Sequence, residues 1–217
     1  MNSQMGSAGA GRQGPGTRPL VAFDFDGTLS FRDSFIGFLA WRSGPAGYAL
    51  GLARLAPWAL AYLAHRDRGR LKAAAVKIFL RGLSKVELEA ACEAFANSDL
   101  GRRLIRPDAE QRWRSWRARG AELVVVTASP EEVVAPFARR LGADRLIGTR
   151  LAYDAEGRVT GALAGENCRA QEKVERLRAI YGRGVRLAAA YGDSSGDTEM
   201  LGLAEEKGYR VFTGMSG

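Results

Sequence analysis

Apolar residues follow two kinds of pattern along this 217-residue chain. Short unbroken runs read as buried strands, and longer stretches with Leu, Ala and Trp at helical spacing read as helices. The first run, LVAFDFD at residues 20–26, predicts a short buried strand. From 31 to 118 the chain is helical in character, with breaks at SGPAG (43–47), HRDRG (65–69), RGLS (81–84) and IRPD (105–108). AELVVVTASP then predicts a strand over LVVV and a helix starting at Ser129-Pro130, which EEVVAPFARRLG continues. DRLIGTRLAYD gives another short strand, and YDAEGRVTGAL a hairpin turning at Glu156-Gly157. CRAQEKVERLRAIYG is an amphipathic helix closed by Gly182, and RLAAAYGDSSGD an apolar strand that runs into a polar loop. YRVF reads as a last short strand. Residues 1–18 are Gly-rich and polar, lack the apolar core of a signal peptide, and read as a disordered tail.

Strands alternating with helices predict an α/β fold around a parallel sheet. The helical stretch after the first strand is too long for a crossover and should form a lobe of its own. The expected division is a core of residues 19–30 and 119–217 with a helical cap of residues 31–118. Ligands in such sheets bind beyond the carboxyl ends of the strands. DFDGT, VVTAS and YGDSSGD all stand at such ends.

Composition narrows the chemistry. A hydrophobic fraction of 46% and a charged fraction of 26% are those of an ordinary globular protein. Cys92 and Cys168 lie far apart, which speaks against a disulfide framework or a zinc site and for a reducing, cytoplasmic setting. His65 is the only histidine, so a histidine base or histidine metal cluster has almost no material to work with. The net charge of +8 sits in one segment: residues 31–118 hold 16 Lys and Arg against 8 Asp and Glu. Such a surplus suits an anionic partner or substrate, and equally a solvated arginine-rich helical surface. The most apolar stretch, residues 46–64, is interrupted by Arg54 and Pro57 and does not span a bilayer.

Asp24 and Asp26 lie two apart, so on a strand both would face one site. Two carboxylates that close need a cation between them or a shared proton. GDSSGD adds Asp193 and Asp197 at another strand end. An all-oxygen set of this kind suits a hard cation, most simply magnesium, and magnesium brings phosphate. Phosphoryl transfer further needs charge neutralisation and an acid for the leaving group. Thr127 offers a hydroxyl near a helix start, and Lys173 a positive charge. Each has a plain structural alternative: a strand-end turn for the aspartates, a solvated lysine beside Glu172 or Glu175, and a helix cap for Asp197. Between Thr127 and Ser129, the phosphate falls to Thr127 and the helix cap to Ser129.

DFDGTL, a strand ending in Thr127, the downstream Lys173 and GDSSGD, in that order, resemble the haloacid dehalogenase superfamily of phosphohydrolases over residues 20–201. The resemblance implies a Rossmann-like core with a helical cap of the phosphoserine-phosphatase-like branch. It implies Asp24 as a nucleophile that becomes an aspartyl-phosphate and Asp26 as general acid and base. Magnesium would be held by Asp24, the backbone carbonyl of Asp26, and Asp193, with Asp197 holding metal waters. Thr127 and Lys173 would bind phosphate. Asp33 takes the place of a glutamate that reads the substrate amine in phosphoserine phosphatases, or else caps the first cap helix. Lys72 and Lys77 either reach the site mouth from the cap or stand as ordinary surface lysines.

The expected activity is hydrolysis of a small phosphorylated substrate such as phosphoserine. A rival is a phosphatase of lipid phosphates whose basic, aromatic cap (Tyr48, Trp58, Tyr62) touches an anionic membrane, where core packing is the plainer use of those rings. A third reading is a non-catalytic basic module, although no specific nucleic-acid motif is present. Oligomeric state is not encoded in any pattern here.

Overall fold

The computed structural model describes residues 18–65 and 67–214. The expected tail therefore lies outside the described residues, apart from Arg18, whose guanidinium donates to the Gly120 and Ala121 carbonyls.

Five parallel strands form one sheet: β1 (Leu20–Phe23), β2 (Glu122–Pro130), β3 (Arg145–Thr149), β6 (Leu187–Gly192) and β7 (Ala204–Tyr209), in the order β3-β2-β1-β6-β7. β1 is central, with Ala22 paired to Val124 on one side and Ala190 on the other. Strands covered on both faces are apolar without alternation, which is why LVAF and LVVV read so clearly. Their side chains still divide by parity. Val21, Phe23 and Val125 enter one core with Trp113 and Phe137, while Ala22, Val124 and Val126 enter another with Leu177 and Met200.

The expected strand at YRVF falls elsewhere. The last strand is β7, with the sequence AEEKGY, and it ends at Tyr209. As an edge strand it pairs with β6 alone, so Glu205, Glu206 and Lys207 remain exposed and the apolar signature is lost. Arg210 has φ 53° and turns the chain out of the sheet. Phe212 then packs on Tyr191, with ring centroids 5.4 Å apart.

Among the described residues, five helices lie between β1 and β2: α1 (Ser34–His65), α2 (Arg68–Phe79), α3 (Lys85–Asn97), α4 (Asp99–Arg102) and α5 (Pro107–Ala118). α1 is kinked at Gly44 (φ 65°), inside the expected break. Beyond the kink, Tyr48, Gly51 and Leu55 turn inward, and any Cβ at Gly51 would overlap the Phe79 ring of α2. Asp67 caps α2 by accepting from the Arg70 N–H (2.9 Å). Ser84 and Glu87 close a capping box on α3, which fixes that boundary. Pro107 opens α5, where its missing N–H costs nothing. Phe95 of α3 meets Phe137 of the core edge-on at 6.0 Å, so insert and sheet share one apolar interior.

The hairpin forms as β4 (Leu151–Tyr153) and β5 (Val159–Leu163). Its Val159 exchanges backbone hydrogen bonds with Gly82 and Leu83 of the insert. Helices α6 (Glu131–Leu141), α7 (Gln171–Tyr181) and α8 (Thr198–Leu201) complete the core, with Gly142 closing α6 in the left-handed region. No described helix is long and apolar enough to cross a membrane.

Candidate active site

The strand that carries the first aspartate stops earlier than its apolar run suggests. β1 ends at Phe23, and Asp24 is the first residue beyond it, its N–H donating to the Tyr191 carbonyl (2.9 Å). Phe25 turns back into the core, and Gly27 at φ 83° completes the turn. A Cβ at Gly27 would overlap the Asp193 carboxylate, so glycine is what lets the two strand-end loops touch.

Asp24 is buried and its two oxygens have different partners. Oδ1 accepts from Lys173 Nζ at 2.6 Å, while Oδ2 accepts the longer bond from Thr28 Oγ1 at 3.2 Å. Burial raises its pKa to about 7; Lys173 opposes the rise, and Asp197 and Asp26 add to it.

Lys173 is not the solvated lysine its neighbours suggested. It is 1% exposed, and its three donors reach Asp24, Asp197 (2.7 Å) and the Val126 carbonyl (2.7 Å). Burial opposes its charge, but the two carboxylates outweigh it and lift its pKa. Glu172 and Glu175 turn outward to Arg176 and Arg178.

Asp197 does not cap α8 with its side chain. Its Oδ2 accepts from the backbone of Asp193 and Ser194 and from the Ser194 hydroxyl, which shapes the GDSSGD loop. Burial works against its charge, yet Lys173 and the Ser194 donors hold its pKa below the ordinary value. Burial and then Asp197 push the half-buried Asp193 upward.

Carboxylate oxygens of Asp24, Asp193 and Asp197 lie within 4.8 Å of one another. Each such pair repels by roughly 3 kcal/mol at an effective dielectric constant near 20. One buried lysine does not neutralise three carboxylates, and an all-oxygen donor set with this surplus fits a divalent hard cation. The carboxylate of Asp26 is not in this cluster; only its backbone carbonyl remains for the role the resemblance gave it.

Asp26 instead points to the other wall. Its Oδ1 accepts from the Ser34 N–H at the start of α1 (2.6 Å), and its Oδ2 accepts from Ser129 Oγ (2.5 Å) and Thr127 Oγ1 (3.4 Å). This corrects the cap expected of Ser129: Pro130 holds the N-cap position of α6, without any side-chain cap bond. Thr127 is fully buried one layer deeper, where its hydroxyl also accepts from the Ser129 N–H (3.0 Å).

Asp33 serves as a helix cap and also faces the cavity. It caps α1 by accepting from the Ile36 N–H (2.8 Å), and it lines the same cavity as Asp24 and Asp26. Lys72 also enters this cavity and donates to the Ala128 carbonyl, whereas Lys77 stays exposed on α2. Burial lowers the Lys72 pKa, opposed by Asp26 and Asp33. Ser129 and Arg169 complete the polar wall, Arg169 donating to Ser195 Oγ at 2.9 Å. The signal that would have placed Ser129 in the site is its spacing, two residues after Thr127 and so on the same face of β2.

The sequence model of the haloacid dehalogenase-like hydrolases matches residues 21–202. Protein CicA of Caulobacter vibrioides is 58% identical over 195 residues, which cover 90% of this chain and 87% of CicA. This chain belongs to the haloacid dehalogenase-like hydrolases. Phosphoserine phosphatase SerB1 of Mycobacterium tuberculosis is 33% identical over 138 residues, 62% of this chain and 43% of SerB1. A crystal structure of a protein of unknown function from Bordetella pertussis Tohama I aligns with a TM-score of 0.72 at 29% identity, covering 86% of this chain and 87% of that one. Phosphoserine phosphatase in its apo form aligns with a TM-score of 0.60 at 22% identity over 89% of this chain and 86% of that one, a likeness of fold. The protein is an enzyme, a hydrolase of this superfamily, and its helical insert follows the first strand of the core.

Proposed function

We propose that this enzyme is a magnesium-dependent phosphomonoester hydrolase that works through an aspartyl-phosphate on Asp24. The observation that carries the reading is the division of labour between two neighbouring carboxylates. Asp24 is gripped by Lys173 among other acids, and Asp26 is turned away to hydroxyl and amide donors.

The steps follow from that geometry. With Oδ1 engaged by Lys173, Oδ2 of Asp24 is the oxygen that attacks phosphorus. As the new O–P bond forms, the bond to the leaving oxygen breaks, and Asp26 gives that oxygen its proton. Asp26, now a carboxylate, takes a proton from a water that attacks the same phosphorus. Inorganic phosphate leaves and Asp24 is restored. Ser129 and the Ser34 N–H orient Asp26 throughout, and Thr127 braces Ser129 from behind. A magnesium ion held by Asp24, Asp193 and the Asp26 carbonyl, with Asp197 shaping the loop, would supply charge neutralisation on the phosphoryl oxygens.

Asp33 lines the cavity, where it would meet the ammonium group of a compact substrate such as phosphoserine. A lipid phosphate is the second reading, and the apolar wall of the cavity described below favours it. A non-catalytic basic module would have no use for a lysine buried among carboxylates.

Rapid acid quenching during turnover of a radiolabelled phosphomonoester tests the proposal. Label should remain on the protein and map to the peptide containing Asp24. Turnover with no protein-bound label would overturn the covalent route.

A further inference from the structure

The cavity that begins at Asp24 does not end at the polar groups. It has a volume of about 630 Å³, within the range of sites that enclose a small ligand. Its far wall is built by α1 and α2 from Tyr48, Leu52, Leu55, Tyr62, Leu71 and Phe79. These side chains face an open cavity, although burying them would be favourable. Phosphoserine offers a single methylene and cannot cover such a wall. An apolar tail attached to the phosphate can.

The rest of the two helices has the same character. Neither α1 nor α2 contains an Asp or Glu, while together they carry Arg42, Arg54, Arg68, Arg70, Lys72 and Lys77. The outward side of α1 is apolar where a surface helix is ordinarily polar. Leu60 is 68% exposed and Leu63 70% exposed, and Leu52, 45% exposed, belongs both to this bare side and to the cavity wall. A second copy docked face to face would set cations against cations, so charge favours an anionic amphiphile as the occupant.

We propose that the substrate is an amphiphilic phosphomonoester, whose phosphate meets Asp24 and whose hydrocarbon part lies along the α1–α2 wall. The inference rests on the phosphomonoesterase reading above and names its substrate class.

A chain-length series tests it on the whole protein with magnesium present: methyl, butyl, hexyl and octyl phosphate, with phosphoserine alongside. Each added methylene should raise kcat/KM by about fourfold, as burial of one methylene implies, until the chain outgrows the cavity. Leu52→Gln should lower the octyl-to-methyl ratio by about tenfold. Leu100→Gln, an exposed site outside the cavity, should leave that ratio as it is. Inhibition of the unmodified protein by alkyl phosphonates should strengthen with chain length, which needs no variant to fold. Phosphatidate in anionic vesicles and a dispersed lysophosphatidate distinguish the sources. Hydrolysis in vesicles identifies a bilayer lipid; hydrolysis of the dispersed form alone identifies a free amphiphile. A flat chain-length profile, or phosphoserine preferred over octyl phosphate, would overturn the substrate class and leave the phosphatase standing. No turnover of any phosphomonoester would overturn the underlying function instead.

Discussion

The Lys173 ammonium lies 2.6 Å from Asp24 Oδ1 and 2.7 Å from Asp197 Oδ1, with all three side chains buried. Removing one partner from a buried ion pair strands the others without water. Lys173→Met should therefore lower the unfolding free energy by about 3–5 kcal/mol and abolish turnover. Urea unfolding beside the activity assay checks both. A variant with ordinary stability would mean that the three groups are hydrated rather than dry.

Asp24→Asn separates stability from catalysis. Burial raises the Asp24 pKa from 3.8 to about 7, so the folded chain binds a proton more tightly than the unfolded chain does. Stability from this group is full below 3.8 and is lost as pH rises through about 7. An uncharged amide has no such titration. Without magnesium, the wild-type protein should lose Tm between pH 5 and 8 relative to Asp24→Asn, which should be inactive at every pH. Parallel melting curves for the two proteins would expose the opposite slope if the sign were wrong.

Ser129→Ala should reduce kcat by roughly 10- to 100-fold, part of the roughly 10²–10⁴-fold that a positioned acid–base group supplies, with little change in Tm. The lost bond is the 2.5 Å contact that fixes Asp26 Oδ2. Thr127→Ala should cost more stability, because the Thr127 hydroxyl is fully buried and accepts from the Ser129 N–H. Leaving-group dependence adds the decisive readout. Substrates with poor leaving groups should suffer most in Ser129→Ala, since they rely on the proton from Asp26.

Why some of this was legible in the chain and some was not has physical reasons. Strand-end aspartates are conspicuous because carboxylates are rarely placed where apolar strands finish. Asp24, Asp193 and Asp197 come together in one cluster, and Asp26 lines the same cavity with its carboxylate turned to Ser129 and Ser34. Lys173 was legible only through motif order. Its helix is polar on most sides, and nothing local shows that Glu172 and Glu175 engage Arg176 and Arg178 instead. Ser129 was misplaced because Ser-Pro is a common helix opening, and here Pro130 occupies the cap position by itself. The last strand was misplaced because an edge strand tolerates Glu-Glu-Lys, which carries no periodic signal. The apolar cavity wall needs helix–helix geometry, which one chain's pattern does not contain.

Gly27 is where the metal hypothesis meets backbone geometry. Its φ of 83° suits glycine, and a methyl group there would overlap Asp193, one of the three clustered carboxylates. Gly27→Ala combines backbone strain of about 1 kcal/mol with displacement of a candidate ligand. In the wild-type protein, magnesium should raise Tm, EDTA should reverse the rise, and EDTA should abolish turnover. In Gly27→Ala the loss of Tm should be larger in magnesium than in EDTA, so that the metal-dependent rise shrinks. That inequality matters because strain alone would lower both melting temperatures equally. Equal losses would show that Asp193 contributes nothing to ion binding, and the acidic cluster would then need another explanation.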